Sequence, residues 1–207
     1  AKIAMELDYL PATDLEKLKV ALPTARFVPG QGIVARLRQI KTPDEIALLR
    51  RLSRIADQSI TDALRAVKAG DSEMDLAGHL TRNVFSLGAE QFKLMIVATG
   101  ERSELPNVGP SEPRYGSSCR KRPMPSPPIS FVGHGIGLFL HEDPYLGKTP
   151  EIGRTEDAYL EAGMVLGVEP LCYRTGHGFG MQLKDMMVVT EKGCEILSDY
   201  CSNDELI

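Results

Sequence analysis

FVGHGIGLFLHEDP, residues 131 to 144, is the stretch of this chain that decides its fold. Two histidines, His134 and His141, stand seven residues apart in it, and the first lies between glycines. Glycines beside a residue free the backbone and let another group approach closely. The pattern predicts a bend that exposes a reactive imidazole, followed by an acidic pair, Glu142 and Asp143, and by Pro144, which ends any regular ladder. The alternative is a glycine-rich bend with two surface histidines.

Length and composition indicate an ordinary globular protein. The chain has 207 residues, 43% of them hydrophobic and 25% charged, with a formal net charge of −4. These values give no reason to expect nucleic acid or a membrane as partner, and we expect no membrane span or secretory leader. Without a CxxC pair, the four cysteines indicate reduced thiols of a cytoplasmic protein rather than disulfides or a zinc site: Cys119, Cys172, Cys194 and Cys201.

Two helices follow an amino-terminal segment that carries its own short helical pattern over 14–21. Thr42-Pro-Asp-Glu supplies a capping hydroxyl, a proline at the first helical position and Glu45 at the third, which together form a capping box. Apolar residues keep helical spacing from there to Gly70. A second helix is predicted from Ser72 to Gly88, and its His79 is interpreted as a surface or partly packed residue.

The second half of the chain is predicted to be mostly sheet. Strands are expected over 92–98, 164–168, 185–190 and 194–197. Between the first two lies an irregular proline-rich segment, 106–130, whose basic run Arg120-Lys121-Arg122 is interpreted as a solvated linker.

Four segments together resemble one family: LRQIKTPDEIALLR, GHGIGLFLHEDP, GMVLGVEP and VVTEKGCEIL. The chain is similar to the pita-bread family of Xaa-Pro aminopeptidases, Xaa-Pro dipeptidases and creatinases. The resemblance implies an α+β fold with a curved antiparallel sheet and helices on its outer face, incomplete here. It also implies two parts, a remnant of the amino-terminal domain over 1–37 and a catalytic-type domain over 38–207.

The resemblance implies a metal site as well. Peptidases of this family hold two divalent ions, commonly manganese, cobalt or zinc, with two aspartates, one histidine and two glutamates. By motif, His134 matches the ligand histidine, Glu169 the first ligand glutamate, and His141 the histidine that assists the tetrahedral intermediate. Carboxylates and imidazole suit such ions, which lower the pKa of a bound water. Taken alone, Glu169 is better explained as a salt-bridged glutamate.

Three departures separate the chain from the family pattern. No aspartate occurs between Asp75 and Asp143, where the two ligand aspartates belong. Lys184, in QLKD, stands where the family has its second glutamate. Asn107 stands where the peptidases have an upstream catalytic histidine. We therefore expect the chain to bind manganese or cobalt weakly or not at all. One interpretation is that it has no cofactor.

Three functions remain open from the sequence. The first is an Xaa-Pro peptidase type of hydrolase, acting on a small peptide or amino-acid-like substrate, impaired here and forming a homodimer. The second is metal-independent hydrolysis of a C–N bond, as in creatinase, with His134 and His141 handling protons and Lys184 polarising a carbonyl. The third is a non-catalytic binding protein. Lys184 is expected to point into the cleft beside Glu169, and the alternative is a solvated strand lysine.

Overall fold

The computed structural model describes residues 1–105, 108–111, 131–147, 159–173 and 176–198. The predictions for most of the proline-rich segment, for its basic run and for Asn107 lie outside these residues. Cys172 and Cys194 are free and exposed. In the described part of the chain, no helix combines the length and the apolar character that a membrane span requires.

The amino-terminal segment forms a small parallel unit. Strand β1 (Lys2–Met5) pairs with β2 (Arg26–Pro29), and helix α1 (Ala12–Ala21) connects them. Helix α2 (Gln31–Gln39) follows directly and was not predicted from the sequence. Gly32 lies within this helix with open space beside it.

The two long helices begin as predicted. Helix α3 (Pro43–Ala66) has a capping box in which Thr42 N donates to Glu45 Oε2 at 2.8 Å and Glu45 N donates to Thr42 Oγ1 at 3.3 Å. Helix α4 (Glu73–Ser86) repeats this arrangement with Ser72 and Asp75. The first helix ends at Ala66, earlier than Gly70, because Val67 already takes an extended conformation.

A five-stranded antiparallel sheet carries the rest of the described chain, in the order β4-β3-β5-β8-β9. A separate short pair, β6 and β7, extends beyond it. The strands are β3 (Phe131–Gly135), β4 (Glu142–Gly147), β5 (Val165–Val168), β6 (Leu171–Cys172), β7 (Met181–Gln182), β8 (Asp185–Thr190) and β9 (Gly193–Ile196).

The hydrophobic core joins α3 to this sheet. Burial of apolar side chains from both layers is the main force that holds such an arrangement together. The buried members of the cluster are Leu49, Ile136, Val165, Val188 and Leu197. The predicted α+β class, with helices packed against an antiparallel sheet, is confirmed.

The prediction of a strand over 92–98 is wrong. In the described residues this segment pairs with no strand and runs as irregular chain. Val97 is buried against the helices, with Ala63 of α3 and Leu76 and Ala77 of α4, and Met95 is partly buried beside it. The other large apolar side chains of the segment are exposed: Phe92, Leu94 and Ile96.

The expectation that Pro144 ends the ladder is also wrong. Pro144 lies within β4, which is an edge strand and has room for a proline. The register between β3 and β4 shifts there, since His134 pairs with Tyr145 while Gly135 pairs with Glu142. Asp143 and Pro144 therefore form the extra residues of an irregularity in the ladder.

Candidate active site

His134 lies in the middle of β3 with its side chain fully buried. The flanking glycines are required by the neighbouring strands. A Cβ at Gly133 would meet the Gly167 carbonyl oxygen at 2.5 Å, and one at Gly135 would collide with the Asp143 carbonyl. Thus the glycines let three strands approach closely around an imidazole that is buried, whereas the sequence predicted an exposed one.

Both ring nitrogens of His134 face oxygen acceptors. Nδ1 lies 2.8 Å from the Gly135 carbonyl oxygen, and Nε2 lies 3.0 Å from Glu169 Oε1. The ring donates to both oxygens only when it carries two protons, whereas a metal ligand needs one bare nitrogen. In this geometry Nε2 is hydrogen-bonded to the Glu169 carboxylate.

Glu169 follows β5 directly and is 6% exposed. Its two oxygens have three donors: His134 Nε2 and the Lys184 ammonium on Oε1, and Gln182 Nε2 on Oε2 at 3.3 Å. Burial alone would raise the pKa of this carboxyl, but the hydrogen bonds and charges of His134 and Lys184 outweigh it and hold the pKa at about 2. The carboxylate is therefore ionised throughout the neutral range.

Lys184 lies in the two-residue interruption between β7 and β8 and points to Glu169, as the sequence predicted. Its side chain keeps 41% of its surface exposed. The lysine stem runs past Gly167, where a Cβ would lie 3.5 Å from Lys184 Cε. One side of the ammonium thus neutralises Glu169 while the other side faces solvent.

His141 ends the loop between β3 and β4, and its ring lies against that of His134, with 4.1 Å between the centroids. Partial burial lowers the pKa of His141, and the neighbouring His134 and Lys184 charges lower it further against the opposing effect of Glu169. His141 also lines a cavity of ≈ 290 Å³ between this loop and the amino-terminal segment, together with Tyr9, Arg38, Phe139 and Tyr145. The histidine therefore lies between the buried cluster and an open space.

Gln182 and Tyr173 were not anticipated from the sequence. The Tyr173 hydroxyl donates to Gln182 Oε1 at 2.9 Å, and the same amide donates to Glu169. A short pair of strands, β6 and β7, brings them together. The only signal in the sequence was the position of Gln182 two residues before Lys184.

The described residues do not fit a site for two divalent ions. They contain no group of three or more His, Cys, Asp or Glu side chains arranged to hold a metal ion. Two ions held close together need several carboxylates to offset their repulsion, and here a lysine ammonium lies on Glu169, the carboxylate that His134 Nε2 contacts. His134, His141, Glu169 and Lys184 nevertheless lie close together, since the His141 ring contacts that of His134 and Glu169 binds both His134 and Lys184.

Comparisons with known proteins agree with this fold. The model of metallopeptidase family M24 matches residues 115–191. The structure is similar to an Xaa-Pro dipeptidase from Bacillus anthracis (TM-score 0.80, 27% identity, 97% of this chain and 73% of that one). It is also similar to an Xaa-Pro aminopeptidase from Thermotoga maritima (TM-score 0.79, 22% identity, 97% and 74%). The resemblance stated from the sequence, and the pita-bread fold with it, are confirmed.

Relatives found by sequence are longer than this chain. An Xaa-Pro dipeptidase from Pyrococcus furiosus is 22% identical over 89% of this chain and 70% of its own length. An uncharacterized peptidase from Staphylococcus aureus is 21% identical over a span of 265 positions that includes 96% of this chain and 74% of the relative. Because that span exceeds 207 residues, the relative contains internal segments without a counterpart here.

Proposed function

We propose that this chain, a relative of the M24 metallopeptidases with their pita-bread fold, keeps the peptidase cleft for a small peptide or amino-acid-like ligand but does not use a divalent-metal pair. In this proposal Lys184 takes over the electrostatic role of the metal. Metal-dependent cleavage of Xaa-Pro bonds, the activity named for several relatives, is impaired or lost.

The ion pair between Lys184 and Glu169 is the observation that carries the proposal. A cation held against the carboxylate repels a second cation at the same place, and this repulsion is strong where water is largely excluded. His134 Nε2 also contacts Oε1 of this carboxylate, and Gln182 Nε2 donates to Oε2. The internal segments that longer relatives possess, and the lack of aspartate from 76 to 142, support the same conclusion.

Lys184 and His141 are the groups that a ligand meets. The exposed part of the Lys184 ammonium is suited to a carboxylate or carbonyl oxygen, and the exposed His141 ring to a second polar group. The adjoining cavity of ≈ 290 Å³ is at the small end of the range for ligand pockets. These features favour a ligand of about the size of a dipeptide or an amino-acid derivative.

Metal-independent hydrolysis of a C–N bond is the second candidate. The observation that favours it is the contact between the His141 and His134 rings beside an ammonium. A water molecule would attack the carbonyl carbon, and His141 would take its proton and deliver it to the nitrogen that leaves as the C–N bond breaks. Lys184 would stabilise the negative charge that develops on the carbonyl oxygen. His134 would orient His141 through ring contact.

The test measures ligand binding and turnover on the same protein. Alanyl-proline and glycyl-proline are titrated by ligand-observed NMR, and cleavage is followed with EDTA and with added Mn²⁺. We expect saturable binding without manganese-stimulated cleavage. Lys184→Ala should abolish binding, whereas Lys192→Ala, in the exposed turn before β9, should not. Cleavage that persists in EDTA favours the second candidate, and cleavage that requires manganese contradicts both.

The remaining expectations of the family resemblance belong to the same proposal. They are a homodimer, a cytoplasmic location, and the division of the chain at residue 37. Sedimentation equilibrium tests the dimer. Expression of residues 38–207 alone tests whether that part folds independently.

A further inference from the structure

We infer that the ion pair of Lys41 and Glu142 positions His141 over His134. The inference goes beyond the proposed function by assigning a role to two residues outside the cluster. It rests on the proposed function only because it takes His141 to be a residue that contacts the ligand in the cleft. Its test requires no ligand, so that the two proposals can fail separately.

The pair is buried and distant in sequence. Lys41 Nζ lies 3.2 Å from Glu142 Oε2, and the two side chains are 4% and 7% exposed. The described residues also form ion pairs near the surface, such as Arg36 with Glu161, whose side chains are 54% and 46% exposed. A buried pair is retained at a desolvation cost, and one use of such pairs is to specify a conformation.

The Glu142 carboxylate fills the turn that precedes it. Its Oε1 accepts a hydrogen bond from Phe139 N at 2.9 Å, while Gly137 N donates to the Phe139 carbonyl at 3.2 Å. A Cβ at Gly137 would collide with the carboxylate. The backbone from 137 to 142 therefore wraps around the carboxylate, and His141 is the residue next to it.

Lys41 is anchored on the other side. Lys41 N donates to the Gly163 carbonyl at 2.9 Å, and Ile40 forms a bridge with Met164 immediately before β5. Its ammonium also donates to the Gln39 carbonyl at 3.3 Å. The ion pair thus connects the turn carrying His141 to the start of the strand that leads to Glu169.

These contacts determine what is expected when the ion pair of Lys41 and Glu142 is broken. With Lys41 neutralised, the Glu142 carboxylate is buried without its charged partner and is driven toward solvent. Since Glu142 holds the turn from inside, its departure moves His141 away from His134. A merely structural pair would instead lower stability and leave the ring contact of the folded molecules unchanged.

The experiment is NMR of protein labelled with ¹³C-histidine, which contains only four histidines. In the wild type we expect a nuclear Overhauser cross-peak between the His134 and His141 rings. Lys41→Met, and Glu142→Ala, which removes the carboxylate from inside the turn, should each remove it and shift the His141 resonances, with His79 and His177 unmoved. Arg36→Met, which breaks an exposed pair of comparable sequence separation, is the matched control and should change nothing.

Urea unfolding of each variant separates stability from geometry. The double variant Lys41→Met with Glu142→Ala leaves no buried charge unpaired, and it should regain stability relative to Lys41→Met without regaining the cross-peak, because nothing holds the turn from inside. If Lys41→Met does not fold, the double variant carries the test. A full cross-peak in any folded variant of the pair overturns the inference.

Discussion

The Lys184 ammonium and the His134 imidazole meet on one atom, Oε1 of Glu169. His134 comes from β3 and Lys184 from the interruption before β8, so both flank the strand that leads to Glu169. Two hydrogen-bond donors on one carboxylate oxygen favour the ionised form of the carboxyl group and occupy that oxygen. Glu169 matches a metal ligand by motif. Because His134 and Lys184 share its Oε1, the hydrogen-bond donors of this carboxylate come from the protein itself.

The stability of the protein should depend on the ionisation of Glu169 in acid. Its pKa in the folded state is about 2, below the value of about 4.3 of an unfolded glutamate. The ionised carboxylate therefore stabilises the fold fully above about pH 4.3, and this contribution is lost as the pH falls toward 2. We expect Glu169→Gln to lower the unfolding free energy at pH 7 by about 2 to 3 kcal/mol.

Urea unfolding between pH 7 and pH 2 measures this dependence. The difference between the wild type and Glu169→Gln should shrink steadily below about pH 4.3. Glu191→Gln, an exposed residue of the turn after β8, is the control and should show no such trend. A difference that stays constant to pH 2 would show that the donors around Glu169 do not stabilise its charge.

Glu73 should be the most sensitive carboxylate for folding of the helical part. It is fully buried at the start of α4 and accepts hydrogen bonds from Thr99, Arg102 and Ser111. Its removal leaves these donors without their acceptor, so Glu73→Ala should cost about 3 to 5 kcal/mol. Thermal unfolding compared with Glu90→Ala, an exposed position, checks this, and equal losses in both variants would contradict it.

The capping residues should contribute less to the stability of the protein than Glu73 does, and their effect should be confined to one helix. Thr42→Ala and Ser72→Ala each remove one half of a capping box and should each cost about 1 kcal/mol. Thr24→Ala, in an exposed turn, is the control. Hydrogen exchange should quicken in the first turn of the affected helix alone, whereas exchange that quickens throughout the sheet would mean that these caps act globally.

Local sequence patterns predicted those parts of the fold that local chemistry determines. The boxes at Thr42 and Ser72 marked two helix starts because a side chain and a backbone three residues apart satisfy each other. The segment 92–98 was predicted as a strand because of its apolar content, yet only Val97 of it is buried and Phe92, Leu94 and Ile96 are exposed. Helix α2 was not predicted, because Gly30 and Gly32 disfavour a helix by local propensity.

The site was predictable where a motif names its residues. His134, His141, Glu169 and Lys184 were identified because each matches or departs from a position of the family pattern. Gln182 was not, since its contact with Glu169 depends on how the β6 and β7 pair folds back. Lys41 and Glu142 are separated by 101 residues, and neither carries a local signal for burial.

Metal uptake tests the replacement of the metal by Lys184 most directly. Wild type, Lys184→Glu and the control Lys192→Glu are dialysed against Mn²⁺ and then against buffer, and the retained manganese is measured by mass spectrometry. We expect the wild type and the control to retain little, and Lys184→Glu to retain clearly more, because it removes a cation and adds a carboxylate beside His134 and Glu169. Stoichiometric manganese in the wild type, or equal retention in all three proteins, would contradict the account.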